Sequence, residues 1–315
     1  MWKKFQKSKI QYLDYWLLLP YVILCAFGAL MVYSASSDLM SIRGMKPDAY
    51  FTKQLVFIAL GFILMMITYF LKLSVLKNRT FLKAMTIVVF LALIYLLLLS
   101  RFRPSAAING ATAWIQLGPL TIQPSEFAKL LIVIYLANML SRKENELADG
   151  FVDNLKLFFS PVVLVAGIIL LVFIQPDLGG ASILAAVMVV MFFGTGMSYW
   201  YGFSLITAVT TTVMILFSIL RHFNFSTNVN SYKFNRILSF LHPFELENMG
   251  GSQLVNSYYA INNGGWFGLG LGNSIQKRGY LPEPYTDFIL SITTEELGVI
   301  GTLVIIALLF ALLAR

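Results

Sequence analysis

Residues 264–301 read GGWFGLGLGNSIQKRGYLPEPYTDFILSITTEELGVIG. A glycine-rich, polar segment runs into a turn carrying Pro282 and Pro284. Past Thr286-Asp287-Phe288 the chain becomes apolar, which predicts a membrane helix over 288–313 with Glu295 and Glu296 inside it. At about 1.5 Å per helical residue, Glu295 lies roughly 12 Å along from Asp287. Asp287 then stands at the mouth of a membrane helix, with the glutamates below it in the hydrocarbon layer. Acidic groups there are costly and usually face a cavity or pathway. Asp287 also has a plainer reading, since Asp caps helices and favours their dipole. Glu295 and Glu296 lie two turns in, where no cap can sit.

Of 315 residues, 58% are hydrophobic and 12% charged, and the mean hydropathy is +0.76. A soluble domain carries roughly 25% charged residues. The fold class is therefore all-α, a polytopic helical membrane protein, because helices satisfy their own backbone in lipid. Apolar runs fall at about 16–35, 54–71, 84–100, 123–140, 158–175, 178–197, 201–220 and 288–313. They read as eight spans of one membrane domain, 1–315, with a long loop over 221–286 before the eighth. The Met1-Trp2-Lys3-Lys4 start leads into the first run with no small-residue cleavage site, as in a retained signal anchor. Cys25 is the only cysteine, so there is no disulfide framework. The net charge of +8 comes from short clusters between apolar runs rather than a nucleic-acid-binding stripe.

Those clusters set the orientation. With the N-terminus cytoplasmic, the inner segments carry Lys3, Lys4, Lys7 and Lys9, then Lys72, Lys77, Arg79 and Lys83, then Arg142, Lys143 and Lys156. The outer loops carry Arg43, Lys46, Lys53, Arg101 and Arg103, so the balance is eleven to five. The loop 101–122, the turn Gln175-Pro176-Asp177, the loop 221–286 and Asp287 then share the outer side. Within that last loop, 234–244 has apolar residues spaced for a short helix in the membrane interface, or for an ordinary packed loop helix.

Ionisable residues in or beside the spans are Glu126, Lys129, Asp177, Asp287, Glu295 and Glu296. Glu126 and Lys129 share a helical face and can simply pair. Asp177 reads as a turn or cap residue. His222 and His242 lack metal-ligand spacing. GLGLGN at 268–273 lacks the preceding strand of a nucleotide-binding loop, and reads instead as backbone that permits close packing.

With these residues laid out, the chain resembles the SEDS family of shape, elongation, division and sporulation proteins. The segments that carry it include Tyr33-Ser34-Ala35-Ser36, NGATAWI at 109–115, GPLTIQPSEFAKL at 118–130 and QPDLGG at 175–180. Arg236-Ile237 with Phe240 and Pro243 follow, then GLGLGNSIQKRGYLPEPYTDF at 268–288 and EELG at 295–298. The wording at 270–288 is closer to the cell-division branch than to the rod-elongation branch. Tyr285 stands where a histidine is common in the family, and Ser291-Ile292-Thr293-Thr294 replaces a more apolar stretch. The family implies ten spans, of which this chain would hold eight, lacking the last two.

The resemblance implies a peptidoglycan glycosyltransferase that polymerises lipid II at the outer face of the bacterial cytoplasmic membrane, at the division septum. The donor is a growing glycan on polyprenyl pyrophosphate, and the acceptor is lipid II. Asp287 becomes the expected general base. Lys129, Glu126, Glu295, Glu296, Lys277 and Arg278 become expected substrate-binding groups, with Lys129, Lys277, Arg278 or a divalent cation (Mg or Mn) easing departure of the pyrophosphate. A class B penicillin-binding protein as transpeptidase and other division membrane proteins are the implied partners. A lipid II flippase, or a scaffold that recruits the transpeptidase, would use the same membrane protein differently. The flippase would use its charges as a head-group path, and the scaffold would tolerate their loss.

Overall fold

The apolar runs fold as helices. The computed structural model describes residues 13–102, 113–117, 120–143, 146, 156–175, 177–194, 200, 207, 211, 214–215, 239–247 and 250–315. Helices α1 (Tyr15–Ile42), α2 (Ala49–Phe70), the single turn α3 (Leu73–Leu76) and α4 (Arg79–Phe102) come first. A hairpin of β1 (Ile115–Leu117) and β2 (Leu120–Ile122) precedes α5 (Pro124–Lys143), α6 (Phe159–Ile174) and α7 (Leu178–Phe193). The last elements are α8 (Ser252–Gly264) and α9 (Ile289–Ala314). The predicted span 201–220 lies almost wholly outside the described residues; the other seven are helices.

Among the described residues four helices, α1, α2, α4 and α9, are long and apolar enough to cross a bilayer. Helix α2 buries none of its residues, and Leu55, Val56, Ile63 and Leu64 are exposed. An apolar helix left uncovered this way has lipid as its partner. The chain is a multi-pass helical membrane protein.

The residues fall into two compact units, Met1–Phe70 with Arg221–Arg315, and Leu71–Leu220. In the first, α1 and α9 run antiparallel. Arg315 donates to Asp14 at 2.7 Å at one end, and Ser34 donates to Glu296 at the other. About twenty helical residues separate those two contacts, roughly 30 Å, the thickness of the hydrocarbon layer. Glu296 therefore sits near the membrane boundary opposite Asp14, higher than the sequence reading placed it. Asp14 caps α1 through the Trp16 N–H, and its hydrogen bond from Arg315 holds its carboxyl below the usual range. Met31, Ala35, Met40, Leu281, Tyr285 and Ile292 form the core of this unit.

Helix α8 lies inside the segment read as loop. Its signal was the apolar spacing of Leu254, Val255, Tyr258 and Ile261, of which Val255 is fully buried. Residues 234–238 of the predicted interfacial helix 234–244 lie outside the described residues; 239–241 form one helical turn before the chain bends.

In the second unit, α4 to α7 pack around residues such as Leu93, Leu131, Leu136, Ile168 and Leu184. Gln175 is buried and donates to the Leu93 carbonyl at 2.7 Å. Asp177 caps α7 by accepting from the Gly180 N–H at 2.8 Å, the role its turn position predicted. The hairpin pairs Ile115 with Ile122 and Leu117 with Leu120, in a stretch the sequence reading left as loop.

Candidate active site

Helix α9 is broken at Gly298, where φ is 72° and ψ 179°. Only glycine adopts such angles readily. The break frees backbone groups that lipid cannot satisfy. The glycine-rich segment supplies the partners. Leu269 and Gly270 donate to the carbonyls of Glu295 and Glu296, and Val299 and Ile300 donate to the carbonyls of Gly265 and Trp266. Backbone meets backbone here: a Cβ at Gly268 would lie 2.2 Å from the Glu296 oxygen, and one at Gly298 2.2 Å from the Trp266 oxygen. The glycines of 264–270 thus permit close packing, as their sequence suggested.

This docking places the two glutamates in different surroundings. Both are fully buried. Glu296 receives the Lys277 ammonium at 2.9 Å and the Ser34 hydroxyl at 2.7 Å. Lys277 is itself buried and also donates to the Ser34 carbonyl at 3.1 Å. Glu295 has no cation beside it among the described residues. It accepts from Asn263 at 3.1 Å, from the Ser274 hydroxyl and from the Gln276 N–H at 3.3 Å. A buried carboxylate needs such a shell, because desolvation otherwise drives it neutral. Glu295, Glu296 and Lys277 are therefore satisfied inward and hold the 264–278 segment to α1 and α9. Arg278 points elsewhere: it is exposed, with Nε 3.8 Å from Asp38.

Asp287 is exposed and makes no hydrogen bond or ion pair among the described residues. It is not the cap of α9. Phe288 holds that position, and no side chain caps the helix. The turn before it is rigid. Glu283 has a φ of 53°, between two prolines, and Thr286 donates to its carbonyl. A non-glycine residue in that region is strained, and such strain persists only where the surroundings enforce it. Buried Leu281 and Tyr285 anchor the turn, and the Tyr285 hydroxyl donates to Tyr50 at 3.2 Å. An aspartate stands free on a fixed support.

In the other unit, Lys129 pairs with Glu126 at 2.7 Å near the start of α5, and both keep solvent exposure. Among the described residues no group of three or more His, Cys, Asp or Glu side chains could hold a metal ion.

Residues 15–315 match the family model for FtsW, RodA and SpoVE, described as cell cycle protein. The chain belongs to this family. FtsW relatives named "probable peptidoglycan glycosyltransferase FtsW" include that of Lactococcus lactis, 39% identical over 98% of this chain and 77% of its own length. That of Bacillus subtilis is 37% identical over 96% of this chain and 73% of its own. The chain thus spans about three quarters of these proteins. Among solved structures it is similar, with TM-score 0.62 and 25% identity over 96% of this chain and 76% of the other, to one showing structural coordination of polymerization and crosslinking by a peptidoglycan synthase complex. It shares its fold with the rod shape determining protein RodA of Thermus thermophilus, at TM-score 0.53 and 23% identity over 96% of this chain and 73% of that one.

Within this family frame, the carboxylates stand out in the sequence, whereas the groups that hold them do not. Ser34, Asn263 and Ser274 are neutral, and they reach Glu295 and Glu296 only once α1, α8 and the glycine-rich segment pack together.

Proposed function

We propose that this protein is a peptidoglycan glycosyltransferase that polymerises lipid II during septal wall synthesis. The reading rests on family membership and on one observation: Asp287 is an exposed carboxylate without a partner among the described residues, on a turn fixed by Pro282, Glu283 and Pro284. The 4-hydroxyl of the incoming lipid II sugar attacks the anomeric carbon of the growing glycan. Asp287 takes the hydroxyl proton. The bond to the polyprenyl pyrophosphate breaks, and that group leaves with its electron pair.

Charge on the leaving pyrophosphate needs cations. Arg278 is exposed in the same unit as Asp287, and Lys129 is partly exposed in the other; each is proposed to meet lipid-linked phosphate. Glu126 orients Lys129 through their pair. Lys277, Glu295 and Glu296 are proposed to act on substrate indirectly, by fixing the segment that carries Arg278. A divalent cation, Mg or Mn, is proposed to share in this charge at the pyrophosphate beside these side chains.

The eleven-to-five distribution of basic residues supports a cytoplasmic N-terminus and an outward-facing Asp287. The antiparallel α1 and α9 put Asp287 opposite Asp14, in keeping with that orientation. A class B penicillin-binding protein is the proposed crosslinking partner, beside other division proteins. The test is polymerisation of labelled lipid II by the purified protein with that partner, run beside a transbilayer assay in vesicles. Glycan strands are expected. Lipid movement without polymer would establish a flippase, and neither activity would leave a scaffold.

A further inference from the structure

The second unit carries a cavity of about 670 Å³ at the end of α4 and α5 remote from the hairpin. Four cations line it: Arg79 and Lys83 from α4, Arg142 and Lys143 from α5. Among the described residues Glu146 is the one carboxylate in the lining. One turn further along the helices the wall turns to Thr86, Tyr135 and Asn138, and Leu82, Met139 and Leu164 supply apolar surface. None of these residues belongs to the proposed catalytic machinery.

Helix stability accounts for only two of the four cations. Arg142 and Lys143 end α5, where positive charge suits the dipole. Arg79 and Lys83 begin α4, where positive charge opposes it, and the first turn holds no acid. They lie four residues apart on one face. Neither has an ion-pair partner among the described residues. Arg142 donates to the Lys77 carbonyl at 3.3 Å, and Lys143 donates to the Leu157 carbonyl. These bonds fix two of the cations at the rim.

We propose that this cavity is a binding site for one anionic phospholipid, its phosphate held between Arg79, Lys83 and Arg142 and its acyl chains against Leu82, Met139 and Leu164. The charge balance selects an anion. The passage from cationic rim to apolar wall over one or two helical turns selects an amphiphile, and the volume lies in the range of small-molecule sites. Basic pockets between spans on the cytoplasmic side take anionic head groups in this way. The proposal rests on the orientation given above only for naming the leaflet.

The test reconstitutes the purified chain in phosphatidylcholine vesicles with trace spin-labelled phosphatidylglycerol or phosphatidylcholine and reads the motionally restricted fraction of each. The wild type should prefer phosphatidylglycerol, and salt should weaken that preference. Arg79→Gln with Lys83→Gln should lower it roughly tenfold, since each basic residue near a charged lipid contributes about 1 kcal/mol before screening. The swap Arg79→Lys with Lys83→Arg keeps the charge and should keep the preference, and it answers the case in which the Gln pair fails to insert. An unchanged preference in an inserted Gln pair, loss in an inserted swap, or indifference to salt overturns the proposal. A last arm compares thermal unfolding in neutral detergent with phosphatidylglycerol or inorganic phosphate. Stabilisation by the lipid alone is expected; equal stabilisation by inorganic phosphate would make the ligand a soluble phosphate and also overturn it.

Discussion

The Lys277 ammonium lies 2.9 Å from Oε1 of Glu296, and both side chains are shut away from solvent. Removing one partner leaves a buried charge, at a cost of about 3–5 kcal/mol; removing both leaves none. Lys277→Met and Glu296→Gln should each lower the unfolding temperature in detergent strongly. The double variant should recover much of the loss and still bind lipid-linked pyrophosphate. A stable double variant that has lost that binding would return Lys277 to direct contact with substrate.

The closeness of backbone at Gly298 and Gly268 yields a second expectation. Each would set a Cβ 2.2 Å from a carbonyl oxygen that cannot move without breaking the hydrogen bonds between the 265–270 segment and α9. Each also has a positive φ, 72° and 78°. Strain of about 1–3 kcal/mol adds to lost backbone hydrogen bonds in a place without water. Gly298→Ala and Gly268→Ala should therefore open the 264–278 segment to proteolysis while α4 to α7 stay protected. Limited proteolysis with mass spectrometry reads this, and wild-type cleavage in both variants would show that the segment adapts.

The helices were legible because long apolar runs have few alternatives, and Asp287, Glu295 and Glu296 stood out because acids are rare in such runs. The break at Gly298 was not legible. A glycine within an apolar stretch reads as helix until a second chain segment is seen to take up the freed carbonyls. The same holds for Lys277. The resemblance makes it an expected cation for the departing pyrophosphate, and only the folding of 264–278 against α1 turns it inward. Asp287 looked like a cap because Asp often is one, but the turn set by Glu283 starts the helix at Ile289 instead.

Tyr285 gives a prediction about alkaline pH. Burial, and then its hydrogen bond with Tyr50, raises its phenol well above the usual tyrosine value. The unfolded chain would lose this proton first, near pH 10. Above that pH the folded state binds more protons, so stability falls as pH rises; below it the contribution is fully present. Tyr285→Phe keeps the ring beside Tyr50 and loses one hydrogen bond, about 0.5–1.5 kcal/mol near neutrality. The variant should lose less stability than the wild type between pH 10 and 11. Parallel curves over that interval would mean Tyr285 ionises as freely folded as unfolded.

The last expectation concerns Asp287. Its side chain is exposed, caps nothing and has no partner among the described residues. Surface changes of that kind shift stability by less than about 0.5 kcal/mol, so both Asp287→Asn and Asp287→Ala should fold, insert and bind the transpeptidase normally. Activity is where they should fail. Asn matches Asp in size and hydrogen-bonding reach but cannot accept a proton from the attacking hydroxyl. Loss of a general base costs about 10²-fold or more. Polymerisation of labelled lipid II by either variant should fall by at least that factor, with binding of lipid II little changed. Full strand synthesis by the Asn variant would remove Asp287 as the base. Glu295 would then be the remaining candidate, and it could serve only if the shell of Asn263, Ser274 and Gln276 opened to release it.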